Sequence, residues 1–327
     1  MSLINPSRRV RHLLSALLCS VGYSASANAV PSTLPPEIGY NAGEMETPRS
    51  TAMGGAVRAL SNSSDALYLN PANMAVARVY HLSGFAQIWP QARRQSYGAA
   101  AVDSVVNKQR IAGGVGAVWN KQDQDGIDRS GFDFRFGLAA PLSDQFFFGG
   151  ALRYLSLAQN GYPRPDGLRP SAAAGGLENK EILADLTFDA GLTFKLSPEF
   201  AVSAVGQNLT DSGHGLLPLM LGGGFGYGSE NFSIEADAVN DFSSYDEAQL
   251  RAMGGLEVLL GDEFPVRGGY TYVEGEGTHA VSGGLGYLTR EFSIDASLRT
   301  IVQGPKSLTI VFGFKYHADV AGALGGM

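Results

Sequence analysis

His81 and Ser83 are the first residues whose types and spacing could do chemistry. They stand two positions apart in a stretch of alternating polarity, and residues at i and i+2 of a β-strand share one face. An imidazole next to a hydroxyl can activate it as a nucleophile, as in hydrolases that act on membrane lipids. Such a histidine also needs an acidic residue to orient it, and the sequence offers no clear one. We therefore interpret both as ordinary strand residues and predict neither an enzyme nor a cofactor.

A second candidate site is the acidic stretch around Gly126, which contains Asp123, Asp125 and Asp128. Carboxylates spaced in this way around a glycine turn can hold Ca²⁺. Calcium loops of this kind also use a more distant glutamate that binds the ion with both oxygens, and this stretch lacks one. Acidic loops in contact with water are common, so we predict no metal here.

A third set of charged residues alternates with apolar residues along the chain. Between Glu291 and Arg299 the even-numbered residues are apolar and the odd-numbered residues are polar. The same period of two recurs at 132–138, 182–196 and 232–238. Because successive side chains of a strand point to opposite faces, each segment has one apolar and one polar face. If the polar faces line the inside of a closed barrel, the charged residues facing the lumen include Arg135, Arg153, Asp185, Asp189, Glu235, Asp237 and Arg299.

About fourteen such segments fill the chain from residue 78 to residue 317, and they predict a membrane barrel. Most are about ten to fifteen residues long, whereas strands of soluble proteins have a most common length of about 5–6 residues. Their apolar faces carry many aromatic side chains, as the lipid-facing girdles of outer-membrane barrels do. After residue 29 no apolar run approaches the roughly 18 residues of a membrane-spanning helix. A membrane protein without such helices must be a closed barrel. The predicted fold class is therefore all-β, a transmembrane antiparallel β-barrel of about 14 strands with a hatch-like N-terminal segment.

The connections between the segments alternate in length. Those near residues 142, 197, 229, 261 and 289 are tight turns, whereas several of the others are longer, led by 159–179 with three prolines and four glycines. Outer-membrane barrels have short periplasmic turns and longer external loops. With an even number of strands, this pattern predicts that both termini are periplasmic, and it defines the strand count to within one hairpin.

The first 29 residues have the parts of a secretory signal peptide. Three arginines precede a short apolar stretch, and Ala27-Asn28-Ala29 provides the small residues of a cleavage site. Without those arginines the chain keeps 21 of its 24 basic residues and all 31 acidic ones, a net charge of −10. The only cysteine, Cys19, lies in the leader, so disulfides are excluded from the mature chain. An acidic, exported chain is a poor binder of nucleic acid. We therefore predict that the protein contacts outer-membrane lipid and does not bind nucleic acid.

Residues 30–77 precede the first strand and do not alternate. We predict that Ser50 is the N-cap of a short helix that continues through Leu60, and that a second helical turn lies at 64–69. Small apolar residues in this stretch favour packing inside a barrel over a solvated tail.

Two runs in this segment carry a resemblance to a known family. Thr51-Ala52-Met53-Gly54-Gly55-Ala56 and Ser64-Asp65-Ala66-Leu67-Tyr68-Leu69-Asn70-Pro71-Ala72 resemble the N-terminal signature of the FadL-type and PorV-type outer-membrane barrels. Gln207-Asn208-Leu209-Thr210, and the stretches 253–257 and 265–270, are similar to elements of the PorV-type branch.

The resemblance implies a fourteen-stranded barrel with an N-terminal hatch. By that resemblance Gly54, Gly55, Asp65, Asn70, Pro71 and Ala72 belong to the hatch, with a structural role. The implied organisation is a signal peptide at 1–29, a hatch at 30–77, a barrel at 78–317 and a tail at 318–327.

The resemblance leaves two main functions open. FadL-type barrels pass long-chain fatty acids or other hydrophobic molecules, which predicts an apolar pocket under the hatch and a gap in the wall. PorV-type barrels serve secretion, surface attachment or the envelope through protein partners, which predicts a sealed lumen with paired charges. Short loops and a charged lumen favour the second function, and the family as a whole favours the first. We predict transport, with a partner-binding scaffold as the alternative and a lipid hydrolase that uses His81 and Ser83 as a distant third.

Overall fold

The structure is a computed structural model. It describes residues 45–91, 93–105, 110–122, 129–159, 180–211, 217–245, 247–304 and 306–318. The signal peptide at 1–29 and the first part of the hatch, 30–44, lie outside the described residues. So do the acidic stretch with Asp123, Asp125 and Asp128, most of the 159–179 connection, and nearly all of the predicted tail.

Fourteen antiparallel strands form one closed barrel, in which each strand pairs with its neighbours in sequence and β1 pairs with β14. The predicted fold class is therefore confirmed. The strands are β1 Tyr80–Trp89, β2 Arg94–Asp103, β3 Ala112–Gln122, β4 Arg129–Pro141, β5 Phe146–Gln159, β6 Lys180–Lys195, β7 Phe200–Gln207, β8 Met220–Gly228, β9 Phe232–Asp241, β10 Gln249–Leu260, β11 Phe264–Val273, β12 Thr278–Leu288, β13 Phe292–Gln303 and β14 Leu308–His317.

The period of two in the sequence separates the two faces of the barrel wall. On β4 the side chains of Phe132, Phe134 and Phe136 are exposed, whereas Asp133 and Arg135 between them are buried. The outer surface is thus apolar and aromatic, as contact with lipid requires, and the inner surface is polar. No helix in the described part of the chain is long and apolar enough to cross a membrane.

Residues 45–76, which we call the N-terminal segment, form two short helices and one 3₁₀ turn. Helix α1 spans Pro48–Ala52, α2 spans Ser63–Leu69 and the 3₁₀ turn spans Pro71–Ala75. The cap of α1 is Thr47, and Ser50 is its capping-box partner, so the prediction of Ser50 as the N-cap was wrong. The helix also ends before Leu60, because Gly54 and Gly55 adopt φ values of +67° and +86° that an α-helix cannot contain.

The wall is least continuous between β6 and β7. Their register joins Ala190–Lys195 of β6 to 201–206 of β7, although β6 begins ten residues earlier at Lys180. Strand β7 ends at Gln207, and Asn208 follows it with a φ of +54°. Beyond that point Leu209 donates its backbone N–H to the Phe188 carbonyl, at 2.9 Å. Residues 180–189 of β6 therefore lie beyond the ladder that this strand forms with β7.

Candidate functional site in the barrel lumen

The N-terminal segment packs through its apolar side chains against the inner face of β1 to β5. Leu67, Tyr68 and Met74 belong to one buried cluster with Phe85 of β1 and Phe147 of β5. The Tyr68 and Phe85 rings meet edge to face, with centroids 5.8 Å apart. Burial of each large apolar side chain contributes about 1.5–3 kcal/mol, so this cluster stabilises the segment inside the barrel.

Glycines in the wall allow the segment to approach the sheet closely. A Cβ atom at Gly149 of β5 would overlap the backbone of Pro71 and Ala72. A Cβ atom at Gly54 would likewise overlap the backbone of Tyr270 on β11. The positive φ of Gly54 is also unfavourable for any residue with a side chain. Pro71, Ala72 and Gly54 thus lie where backbone packs on backbone.

Two carboxylates on β9 bind four consecutive backbone amides of the segment. Asp237 accepts hydrogen bonds from the backbone N–H groups of Val57 and Arg58, both at 3.0 Å. Glu235 accepts from the N–H groups of Ala59 and Leu60, the latter at 3.0 Å. Since residues 57–60 lie outside any helix or strand, the carboxylates supply acceptors that secondary structure does not.

The Arg58 side chain adds a charge to the same contact. It is fully buried and donates from Nη1 to the Gly55 carbonyl at 3.0 Å and to Asp237 at 3.4 Å. A buried guanidinium needs such partners, because an isolated buried charge loses its hydration without compensation.

Asn70 and Asn73 link the 3₁₀ turn to both the segment and the wall. The Asn70 amide donates to the Arg58 carbonyl at 2.7 Å and to Thr193 Oγ1 of β6 at 2.9 Å, while its Oδ1 accepts from the Ala72 N–H. Thr193 in turn donates to Asn73 Oδ1 at 2.6 Å. These bonds join the 3₁₀ turn to the rest of the segment and to β6.

Arg135, Arg153 and Asp189 come together with Asp133 in one buried network on β4, β5 and β6. Arg135 Nη1 lies 3.0 Å from Asp189 and 2.9 Å from the Tyr68 carbonyl of the segment. Arg153 contacts Asp133 at 2.6 Å. It also donates to the side chain of Asn208 at 3.0 Å, so the network reaches the end of β7.

A second network lies near the tight turns. Arg49 of α1 donates to both oxygens of Glu257 on β10, each at 3.3 Å. Arg267 of β11 bonds to the same carboxylate and pairs with Asp295 of β13 at 2.5 Å. Burial alone would lower the pKa of the Arg49 guanidinium, but the adjacent Glu257 carboxylate raises that pKa above its ordinary value. Arg49 therefore stays charged inside the barrel.

The other predicted residues occupy separate positions. Arg299 pairs with Glu46 of the segment, and Asp65 accepts a hydrogen bond from the Thr47 hydroxyl. Gly55 lies against the Met253 side chain. Asp185 is half-buried on the same face of β6 as Asp189. Each of these residues contacts other residues inside the barrel, but they do not contact one another as a single cluster.

His81 and Ser83 do not form a nucleophile and base pair. The His81 ring stacks on His317 of β14, with centroids 4.5 Å apart, and the Ser83 hydroxyl donates to the Ala100 carbonyl at 3.3 Å. Among the residues that the structure describes, no group of three or more metal-binding side chains is close enough to hold an ion.

An apolar cluster lines the lumen beside the first half of β6, at the end of the barrel opposite the tight turns. It consists of Leu155 and Leu157 on β5, Leu183 on β6 and Leu217 in the connection before β8, all buried. Leu217 and Pro218 are both buried, and β8 begins after them at Met220. This cluster, which we call the leucine cluster, lies beside the part of β6 that is beyond its ladder with β7.

Several residues of these contacts had no place among the predicted site residues. Asp133 shares the face of Arg135 by the period of two, so the alternation could have identified it. Glu46, Arg58 and Asn73 lie in the N-terminal segment, where no strand period applies, and their buried contacts depend on the path of the chain inside the barrel.

The solved structures that share this fold include the following three. The toluene transporter TbuX of Ralstonia pickettii is 14% identical, with a TM-score of 0.63, over 85% of this chain and 100% of that chain. The monoaromatic hydrocarbon channel CymD is 15% identical, with a TM-score of 0.65, over 85% of this chain and 99% of that chain. A FadL homologue of Pseudomonas aeruginosa is 14% identical, with a TM-score of 0.55, over 84% and 99%.

At such low identity the likeness shows the fold, and the fold is that of the FadL-type barrels. The FadL part of the predicted resemblance is thereby confirmed at the level of the fold, while the PorV part finds no support in these structures. No protein-family model matches the sequence, and no curated protein matches it either.

Proposed function

We propose that this protein is an outer-membrane barrel for the passive transport of hydrophobic small molecules, and that its N-terminal segment acts as a hatch. Proteins of the same fold include a toluene transporter and a monoaromatic hydrocarbon channel, which supports this class of cargo. In the proposed orientation the tight turns and both termini face the periplasm. The signal peptide at 1–29, the full hatch at 30–77 and the tail at 318–327 are part of the same proposal.

One observation carries the proposal: an apolar surface lies inside the lumen where the wall is least continuous. Leu155, Leu157 and Leu183 contact one another beside the part of β6 that lies beyond its ladder with β7. A hydrophobic molecule would gain free energy at such a surface, at about 25 cal/mol per Å² of apolar area removed from water. Beyond the ladder the described residues give one backbone hydrogen bond across this gap, from Leu209 to Phe188, so the wall can open there at a small cost.

The distribution of charge favours a route through the wall over a route along the axis. Below the leucine cluster the lumen contains the Arg135 and Arg153 networks and the buried N-terminal segment. Desolvated charges are a poor surface for an apolar molecule. We therefore infer that cargo leaves the lumen sideways, between β6 and β7, into the lipid.

Uptake by whole cells tests the proposal. The protein is expressed in a host strain that lacks its own barrel of this type, and entry of radiolabelled toluene and of radiolabelled oleate is measured separately. Leu157→Asn places an amide in the leucine cluster, and uptake should fall several-fold. The matched control is Leu142→Asn, because Leu142 is exposed in a tight turn at the other end of the barrel and uptake should be unchanged there.

The two substrates separate the finer alternatives. Uptake of toluene alone would identify a channel for small hydrocarbons, and uptake of oleate would identify a fatty-acid transporter. Entry of neither molecule above the level of the empty host would contradict the proposal.

A second function is favoured by the paired charges of the lumen. Arg135, Arg153 and Arg299 all have carboxylate partners, as a sealed scaffold that binds envelope or secreted proteins would require. Native mass spectrometry of the protein released gently from its own membrane distinguishes the two. A retained apolar molecule supports transport, and a ligand-free barrel with a defined protein partner supports the scaffold.

A further inference from the structure

A cavity of about 250 Å³ opens at the end of the barrel that carries the tight turns. Its charged lining comes from Arg49 of α1, Glu257, Arg267, Asp295 and Lys315, with His81 and His317 beside them. The leucine cluster lies near the opposite end, so this cavity belongs to a different part of the lumen.

The two carboxylates in the cavity already have cationic partners. Glu257 accepts hydrogen bonds from Arg49 and Arg267, and Asp295 pairs with Arg267 at 2.5 Å. The other acidic residue of the lining, Glu230, is exposed at the rim in a turn. The carboxylates inside the cavity are therefore satisfied by the two guanidinium groups.

Lys315 differs from these groups because its ammonium has no direct partner in the part of the chain that the structure describes. Asp65 and Asp295 attract it through space, but neither forms an ion pair or a hydrogen bond with it. The lining of the cavity thus holds three cations and two inner carboxylates, and Lys315 is the cation that contacts neither carboxylate. An acceptor with one negative charge would complete it.

His81 provides a second unsatisfied group next to Lys315. Its Nδ1 atom is buried and has no hydrogen-bond partner within the described chain, and its ring is held by stacking on His317 at 4.5 Å. In the tautomer that carries the proton on Nδ1, this ring can donate to an oxygen of the same ligand.

We propose that this cavity binds a small monocarboxylate, between acetate and benzoate in size, through Lys315 and His81. A single negative charge matches the single unpaired ammonium, whereas Glu257 and Asp295 would repel the second charge of a dianion such as phosphate. The volume is below the range of about 300–1,000 Å³ that is usual for pockets of drug-sized ligands, which agrees with a smaller ligand. Binding at this cavity does not require that the protein transport hydrophobic molecules.

Isothermal titration of the full barrel in detergent tests this site with sodium benzoate, sodium acetate and neutral benzamide. Benzoate and acetate should bind, and benzamide, which has the same shape as benzoate without its charge, should bind at least tenfold more weakly. Lys315→Met should weaken benzoate binding at least tenfold, and Lys315→Arg should retain it. The matched control is Lys306→Met, because Lys306 is exposed beside a loop at the other end of the barrel and benzoate binding should stay unchanged.

Three results would overturn the proposal. They are equal binding of benzamide and benzoate, tighter binding of inorganic phosphate than of benzoate, or a folded Lys315→Met barrel that binds benzoate as the unmodified protein does. If Lys315→Met does not fold, the comparison of benzoate with benzamide on the unmodified protein decides, together with Lys315→Arg.

Discussion

Asp237 shows how one lumen side chain can hold several groups of the N-terminal segment. Its carboxylate accepts two backbone N–H groups and faces the guanidinium of Arg58, and all of these groups are buried. Hydrogen bonds to a charged group contribute about 1.5–3 kcal/mol each, roughly twice as much as neutral ones. Glu235, two residues earlier, binds the next two amides in the same way.

The first prediction follows from that geometry. Asp237→Asn keeps the shape of the side chain but removes the negative charge that faces Arg58 and accepts the Val57 and Arg58 N–H groups, so the free energy of unfolding should fall by about 1.5–3 kcal/mol. Denaturant unfolding of the folded barrel in detergent measures this change, and hydrogen exchange at the amides of 57–60 should accelerate.

Asp262→Asn is the control for this prediction. Asp262 is exposed in the turn between β10 and β11, with a φ of +62° that asparagine also tolerates. Its unfolding free energy should stay within about 0.5 kcal/mol of the unmodified protein. Equal stability of the two variants would show that the Asp237 charge does not hold the segment.

At the scale of elements, the 3₁₀ turn Pro71–Ala75 fits onto β5 because the wall has no side chain there. Backbone contacts backbone at Gly149, and Asn70 then reaches across to Thr193 on β6. The turn therefore packs directly on these two strands, and a side chain added to the wall at Gly149 would displace the segment.

The second prediction concerns this fit. Gly149→Ala should lower the unfolding free energy by about 1–3 kcal/mol, because the added methyl group would overlap the backbone of Pro71 and Ala72. The temperature at which the barrel loses its compact migration on a gel measures the loss. Gly254→Ala on β10 is the matched control, since its added Cβ meets no atom within 4 Å. The idea fails if both alanines shift that temperature equally.

At the scale of the whole molecule, the question is whether the N-terminal segment moves when cargo passes. The segment bonds to strands all around the barrel, for example through Thr271 to the Gly54 carbonyl at 2.7 Å and through Ser282 to the Ala52 carbonyl at 2.9 Å. These bonds are individually weak, at about 0.5–1.5 kcal/mol net, and can break one at a time.

The third prediction tests that movement with a cysteine pair. A Cβ at Gly284 of β12 would lie 2.6 Å from the Ala52 Cβ, so Ala52→Cys with Gly284→Cys can form a disulfide after a shift of about 1 Å. If the segment must move, toluene uptake should fall when the pair is oxidised and recover after a reductant is added. Uptake that is equal in both states would mean that the route runs past a fixed segment. Each single cysteine variant serves as the control.

The sequence by itself determined the fold class and which face of each strand is polar. Alternation at Phe132, Phe134 and Phe136 is a local property, since a strand turns successive side chains to opposite sides whatever its neighbours are. It therefore predicted fourteen strands and the inward direction of Arg135, Asp189 and Asp237. The period carries no information on residues 45–76, because they form no strand.

Only the tertiary structure decided which inward groups meet. Arg153 and Asn208 are 55 positions apart and come within 3.0 Å because β5 and the end of β7 curve around one lumen. Arg58 and Asp237 are 179 positions apart, and their contact depends on the path of a segment that no repeat describes. Closure of the sheet sets these distances, and so it also sets which charges in the lumen come within reach of one another.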